Sequence, residues 1–350
     1  MFLRNYWYVA GHDHEIGSKP LGRIILGEPI VFYRLEDGTP VALEDRCAHR
    51  HLPLSMGKLT GDTLQCHYHG LRYDKNGVCV RVPGQDHIPR SARVRSYPVV
   101  ERYHWLWIWM GDPARADADK IPDYHWLDDP EWGARGEYLY VRSNWQLIVD
   151  NLLDLTHLAF VHETTIGNSA LVDLAKVKIE RTGDSVVMTR WTLDAPAPPT
   201  FVKAGKFTSN VDRWQIINFA PPSYLRLDVG ATPTGTGAPQ GTRVGGIGMW
   251  NLNAITPETE TTSHYFWGQA HNWDIKNPKA TDTIIEQIRT AFLEDVAVFE
   301  AQQRNLEMIP NPPQTDINAD SAVIQARRIL DRLHQEETTA AAAAKMIAAE

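Results

Sequence analysis

Two short segments of this chain carry residues able to hold a metal. Cys47-Ala48-His49 and Cys66-His67-Tyr68-His69 each offer one thiolate and one imidazole, two or three residues apart, and about sixteen residues separate them. Two such loops can close on a single centre. A Cys2His2 set suits tetrahedral zinc, and it also suits a Rieske [2Fe–2S] cluster, in which two Cys bind one iron and two His the other. Zinc fingers draw both cysteines from one knuckle and both histidines from another. Here each segment supplies one of each, which suits the iron–sulfur centre.

A second set lies in the run Asp150-Asn151-Leu152-Leu153-Asp154-Leu155-Thr156-His157 and on to His162. Asp154 and His157 are three apart and share a helical face, and Asn151 and Asp154 are the candidate catalytic residues of the run. His157 and His162 are five apart, about 140° around an ideal helix, so they can share a metal only if the helix ends or bulges between them. The plainer reading is a core-facing His157 bonded by Asp154, with His162 in a loop. A two-histidine site for non-heme Fe(II) needs one carboxylate and open positions for O2 and substrate. Asp295 is the candidate, because it follows Phe292 by three and precedes Phe299 by four on a buried stripe where an unpaired carboxylate is costly. An arginine partner is the alternative, and Glu294 points off the stripe toward solvent.

The elements around these residues divide in two. From Gly22 to Val99 short strands alternate with turns such as Asp37-Gly38 and Asn76-Gly77, an all-β unit. Trp105 to Met110 is apolar on both alternating faces, which suits a strand buried on both sides, with a core helix the alternative that periodicity leaves open. The charged, alanine-rich run Ala114 to Lys120 is the expected boundary, giving domains 1–113 and 114–336. Beyond it, Asn144 to His157 has helical spacing. Strands follow at 177–180, 186–191, 213–219, 224–229 and 264–268, and two amphipathic helices come last, at 283–306 and 321–333. The alanine-rich tail, 337–350, is expected to be disordered.

Composition narrows the function. A net charge of -8 argues against nucleic acid, and 43% hydrophobic with 22% charged residues is ordinary for a globular chain. No apolar run approaches the roughly 20 residues of a membrane span, and Met1 to Gly17 lacks a secretory pattern, so the cytoplasm is expected. Three cysteines give no disulfide framework. Cys79 is expected to be a buried thiol.

Cys47-Ala48-His49-Arg50, Pro53-Leu54-Ser55, Gly57, Cys66-His67-Tyr68-His69-Gly70 and Tyr73-Asp74 together resemble the Rieske domain of bacterial aromatic-ring and O-demethylating oxygenases. The resemblance extends through Asp-x-x-His-x-x-x-x-His, Thr256-Pro257-Glu258-Thr259-Glu260, His264-Tyr265-Phe266-Trp267-Gly268 and Phe292-Leu293-Glu294-Asp295 to the catalytic domain of vanillate O-demethylase oxygenase components. It covers about Asn5 to Leu333. It implies an α+β chain, an N-terminal all-β Rieske domain followed by a helix-grip (START-like) antiparallel sheet domain with C-terminal helices. It also implies Cys47, His49, Cys66 and His69 as cluster ligands and His157, His162 and Asp295 as ligands of a mononuclear Fe(II).

The implied reaction is O-demethylation of a methoxylated aromatic acid such as vanillate to a phenol and formaldehyde. Hydroxylation of a ring or methyl group without demethylation is the rival within enzymes, and a pure electron carrier the rival outside them. No Gly-x-Gly-x-x-Gly fingerprint occurs, so electrons must come from a separate NAD(P)H reductase. The family further implies a head-to-tail homotrimer with His69 of one subunit near Asp154 of the next. Asn253 and Ile288 are the expected substrate contacts, Asn253 standing where a family member carries a substrate-contacting histidine. Trp250 and Trp267 suit either core or pocket wall.

Overall fold

The computed structural model describes residues 2–162, 176–309 and 312–347. It falls into two compact units: Met1–Pro122 together with Thr256–Glu260, and Asp123–Ile255 together with Thr261–Glu350. The break therefore comes after Pro122, later than expected, because Ala114 to Lys120 forms two short 3-10 turns that stay with the first unit.

The first unit is built from β1 (Trp7–His12), β2 (Leu21–Ile25), β3 (Glu28–Arg34), β4 (Pro40–Glu44), β5 (Lys58–Thr60), β6 (Thr63–Gln65), β7 (Arg72–Tyr73), β8 (Cys79–Arg81), β9 (Ser96–Tyr97), β10 (Val99–Arg102) and β11 (Trp105–Trp109). These make three small sheets, β1-β11-β10, β2-β3-β4-β9 and β5-β6-β7-β8. The tryptophan run is the central strand β11, buried along its whole length. Leu54, Leu64, Leu71 and Tyr73 pack with Cys47, Cys66 and Cys79 into one apolar cluster, so the thiols belong to a core. The segment Thr256–Glu260 closes onto this unit: Thr256 Oγ1 donates to Val9 O at 2.8 Å, and Leu26 and Gly27 amides donate to the carbonyls of Pro257 and Glu258.

The second unit is an antiparallel seven-stranded sheet with helices. Its strands are β12 (Gly133–Val141), β13 (Lys176–Thr182), β14 (Ser185–Ala195), β15 (Val211–Ala220), β16 (Tyr224–Pro233), β17 (Ile247–Pro257) and β18 (Ser263–His271), in the order β12-β18-β17-β16-β15-β14-β13. Between them run α1 (Trp145–Leu153), α2 (Leu158–Val161) and α3 (Pro199–Gly205), and after them α4 (Pro278–Met308) and α5 (Ser321–Ile347). The helix α4 packs on β12 and β18, and α5 packs on β13, β14 and α1.

Three expectations are corrected here. β12 and β17 were not foreseen, since β17 carries Asn251 and Asn253 inside an apolar run and breaks the strand pattern. The helix expected through His157 stops at Leu153, where Asp154 turns extended (φ −116°, ψ 105°). The tail expected to be disordered continues α5 to Ile347, in keeping with the high helix propensity of its alanines.

Candidate metal centres and their cavity

The two cysteine-bearing loops of the first unit are copies of one another. In each, the cysteine N–H donates to a carbonyl five residues on (Cys47 to Leu52, 2.9 Å; Cys66 to Leu71, 2.8 Å). Each cysteine carbonyl accepts from the residue four on (His51 N–H, 2.9 Å; Gly70 N–H, 3.1 Å). That fourth residue adopts positive φ in both, +59° at His51 and +74° at Gly70. Glycine takes this conformation freely, whereas histidine takes it at a cost.

Both thiols are buried, while His49 and His69 are exposed. The imidazoles face each other, with Nδ1 to Nδ1 at 3.1 Å and ring centroids 4.5 Å apart. Two ring nitrogens this close need a proton or a metal between them. Burial raises the Cys66 thiol pKa, and the neighbouring Cys47 sulfur adds to it. Tyr73 OH accepts from Ala48 N–H at 3.1 Å, leaving its own proton for Cys47 Sγ at 3.2 Å. Thiol beside thiol and imidazole beside imidazole fits a two-iron cluster with Cys on one iron and His on the other. His51 and His67 are exposed, and Cys79 is buried with Sγ 3.4 Å from Arg81 O.

In the second unit His157, His162 and Asp295 each offer a ligand atom within 4.8 Å of the others. The break after α1 makes this possible, because it frees His157 and His162 from the 140° separation of a continuous helix. His157 Nδ1 meets the carbonyl of Asp154, which can only accept, so Nδ1 carries the proton and Nε2 keeps its lone pair. His162 Nδ1 bonds Glu294 Oε2 at 2.6 Å, which likewise turns Nε2 inward. Both Nε2 atoms face Asp295 Oδ1, at 3.7 Å from His157 and 3.2 Å from His162.

Asp295 is only 4% exposed and receives Asn151 Nδ2 at 3.1 Å. Among the described residues it has no arginine partner. Burial pulls the His157 imidazolium pKa down despite Asp295. At His162 burial pulls the same way, but hydrogen bonds to Asp295 and Glu294 outweigh it and the net shift is upward. Two imidazoles and one carboxylate leave coordination positions open, the arrangement non-heme Fe(II) requires.

Two assignments change. The Asp154 carboxylate does not reach His157: it caps the turn by accepting from Thr156 N and Oγ1 at 2.8 and 2.7 Å, and Asp154 holds His157 through its main chain. Glu294 is not a solvated residue but the outer partner of His162. Its position beside Asp295, off the apolar stripe, hid this role.

The metal-binding group opens on a cavity of about 500 Å³ lined by Leu155, Leu227, Val229, Met249, Ile288 and Phe292 among others, large enough for one substituted aromatic ring. Its polar members include Asn151, Asn251, Gln269, Gln215 and Arg213, and only Asn151 among these was singled out from sequence. Asn253, expected to touch substrate, is fully buried. It accepts from Tyr265 OH at 2.7 Å and donates to Asn251 Oδ1 at 2.8 Å, and Asn251 Nδ2 in turn donates to Gln269 Oε1 at 3.1 Å. It braces the residues that line the cavity. Two polar residues at a spacing of two in an apolar strand were the available signal. Trp267 is core, edge-on to Phe292 at 5.0 Å, and Trp250 stacks on Trp126 at 3.8 Å.

Comparison with known proteins agrees with this geometry. A Rieske [2Fe–2S] domain matches residues 6–98, and the vanillate O-demethylase oxygenase C-terminal domain matches residues 141–336. The iron–sulfur subunit of a toluene-4-sulfonate monooxygenase system from Comamonas testosteroni is 47% identical, over 96% of this chain and 98% of its own. A vanillate O-demethylase oxygenase subunit from a Pseudomonas species is 40% identical over 98% of each. The crystal structure of dicamba monooxygenase with non-heme iron and dicamba superposes with a TM-score of 0.82 at 33% identity, over 97% of this chain and 99% of that one. No described helix is long and apolar enough to cross a membrane.

Proposed function

The chain belongs to the vanillate O-demethylase family of Rieske non-heme iron oxygenase components, and from that premise we propose that it oxidises a methyl group carried by an aromatic acid. On a methoxy group one oxygen atom enters a C–H bond, and the resulting hemiacetal separates into a phenol and formaldehyde. The second oxygen atom of O2 leaves as water, with two electrons and two protons supplied. The electrons come from a separate reductase, as in the multicomponent systems of the relatives. A ring-bound methyl group gives a benzylic alcohol by the same insertion, and the 47% identity to a toluene-4-sulfonate monooxygenase subunit favours this second reading.

One observation carries the proposal. His157, His162 and Asp295 converge on the wall of a mostly apolar cavity of about 500 Å³, in a chain that also holds a Rieske domain. When bound, a [2Fe–2S] cluster supplies single electrons and a mononuclear Fe(II) supplies O2 activation. Cys47, His49, Cys66 and His69 would hold the first, and His157, His162 and Asp295 the second. Asn151 steadies Asp295, while Glu294 and the Asp154 carbonyl aim the two histidines. Leu227, Ile288 and Phe292 hold the ring and keep water out. In this reading the protein works in the cytoplasm as a head-to-tail homotrimer, with the exposed His69 of one subunit passing electrons toward the Asp154 region of the next.

The test is a panel of vanillate, 4-methoxybenzoate and toluene-4-sulfonate with a Rieske reductase and NADH. Formaldehyde released in step with a phenol establishes demethylation, and a hydroxymethyl product establishes hydroxylation. About three irons per chain are expected. Two irons and no O2 uptake would leave an electron carrier and sink the proposal.

A further inference from the structure

Arg213 is a cation inside the cavity that meets no anion among the described residues. It lies on β15 and lines the cavity beside Gln215. Its guanidinium rests 5.1 Å from the Phe201 ring, and its Nε has no hydrogen-bond partner among the described residues. The carboxylates adjacent in sequence or on the next strand are taken. Asp212 accepts from the amides of Asp194 and Gly235, and Asp228 accepts from Trp214 Nε1 and Arg243. The charged group that acts on Arg213 is another cation, Arg190, which pairs across to Gln215 and so shares its sheet face. Burial, with Arg190 adding to it, brings the Arg213 pKa down to about 10, which still leaves it charged at neutral pH. A half-buried cation whose Nε is wholly buried, beside a like charge and with no anion among the described residues, is costly, and an oxyanion relieves that cost. The planar guanidinium matches carboxylate or sulfonate oxygens two at a time.

Its place along the sheet adds a direction. The side-chain row Ile217–Leu227–Asn251 is followed by Gln215–Val229–Met249 and then by Arg213–Ala231–Ile247. Arg213 is therefore two rows, about 13 Å of strand, from Asn251. The metal-binding group lies toward the other end. Asp295 is one helical turn past Phe292, which stacks on Tyr265 at 5.3 Å, and Tyr265 bonds Asn253, beyond Asn251.

We propose that Arg213 is the anion-binding residue of this cavity, taking the sulfonate or carboxylate of the substrate and holding it at the end opposite the metal-binding group. This rests on the reading of the cavity as a site for methyl-bearing aromatic acids. It selects substrates whose acid group lies para to the methyl or methoxy carbon that reacts. Arg213 then sets specificity and position, and takes no part in the oxidation itself.

The test uses the iron-loaded holoenzyme. Binding of toluene-4-sulfonate and 4-methoxybenzoate is titrated calorimetrically without O2, beside the uncharged toluene-4-sulfonamide and 4-methoxybenzamide and the ortho isomers of both acids. Wild type is expected to favour para acids over ortho acids and over the amides. Arg213→Met should weaken the para acids roughly 30-fold or more, leave the amides unchanged, and raise KM for the acids with the cluster absorption intact. Arg213→Lys, which keeps the charge without the planar fork, should fall between the two and decides the matter if the methionine variant does not fold. Acid binding equal to wild type in Arg213→Met, or a lysine variant with an unchanged acid-to-amide ratio, would overturn the role of Arg213 while methyl oxidation of acids stood. A wild type that binds and oxidises only the uncharged compounds, or none of the panel, would overturn the acid reading and this proposal with it.

Discussion

At His162 the direction of the metal-facing nitrogen is set from behind. Glu294 accepts a hydrogen bond from Nδ1–H at 2.6 Å, so Nε2 is left to meet Asp295, and the Asp154 carbonyl does the same for His157. Partners of this kind fix ring orientation and basicity, and their loss typically costs 10- to 100-fold in metal affinity or activity. Glu294→Ala is therefore expected to weaken iron binding by about that factor, read as iron retained against a graded chelator while the [2Fe–2S] absorption stays unchanged. Glu294→Gln keeps an acceptor oxygen and should stay near wild type. Full iron retention in the alanine variant would show that Glu294 does not orient His162.

The decisive element is the interruption between α1 and α2. A helix continued from Trp145 through His162 would splay the two histidines, and it is the extended Asp154, with its carboxylate capping Thr156, that lets them converge. The start of α1 is fixed as well, since the Asn144 side chain accepts from Gln146 N at 2.8 Å. Asn144→Ala should cost about 1 kcal/mol and lower the melting of the second unit by about 2–4 °C, followed by tryptophan fluorescence. No shift would mean that packing of α1 against α5 dominates its start. In the first unit the repeated loop does comparable work, presenting two thiols inward and two imidazoles outward from one backbone pattern used twice.

At the scale of the whole molecule, electrons must pass between a cluster in one unit and a metal in the other. If the route runs between subunits of a head-to-tail ring, two inactive chains can complement each other. A Cys66→Ser chain lacks the cluster and a His162→Ala chain lacks the mononuclear iron. Co-assembled at random, about a quarter of sites pair an intact donor with an intact acceptor, so activity should return to about a quarter of wild type. No recovery, with mixed oligomers verified by mass spectrometry, would place the route within a single chain.

Much of this protein is legible in sequence because its metal chemistry is local. Cys47 with His49 and Cys66 with His69 lie within single loops, and the polar Asp295 on an apolar helical stripe announces itself by the cost of burying it. Most strands follow from alternation and turn residues. What the sequence hid depends on residues far apart in the chain. Glu294 reads as solvated until His162 arrives from 132 positions away, and Asn253 reads as a substrate contact until Tyr265 and Asn251 consume its amide. Thr256–Glu260 was read as a family motif without a place in the fold, and only the folded chain puts it with the first unit. Arg213 is ordinary in sequence, a charge in an alternating strand. Its meaning comes from a mostly apolar cavity and from neighbouring carboxylates already spent on other partners. Donor type and spacing are properties of a few consecutive residues. Whether a buried polar group is satisfied depends on every element packed around it, and that is settled only by the tertiary structure.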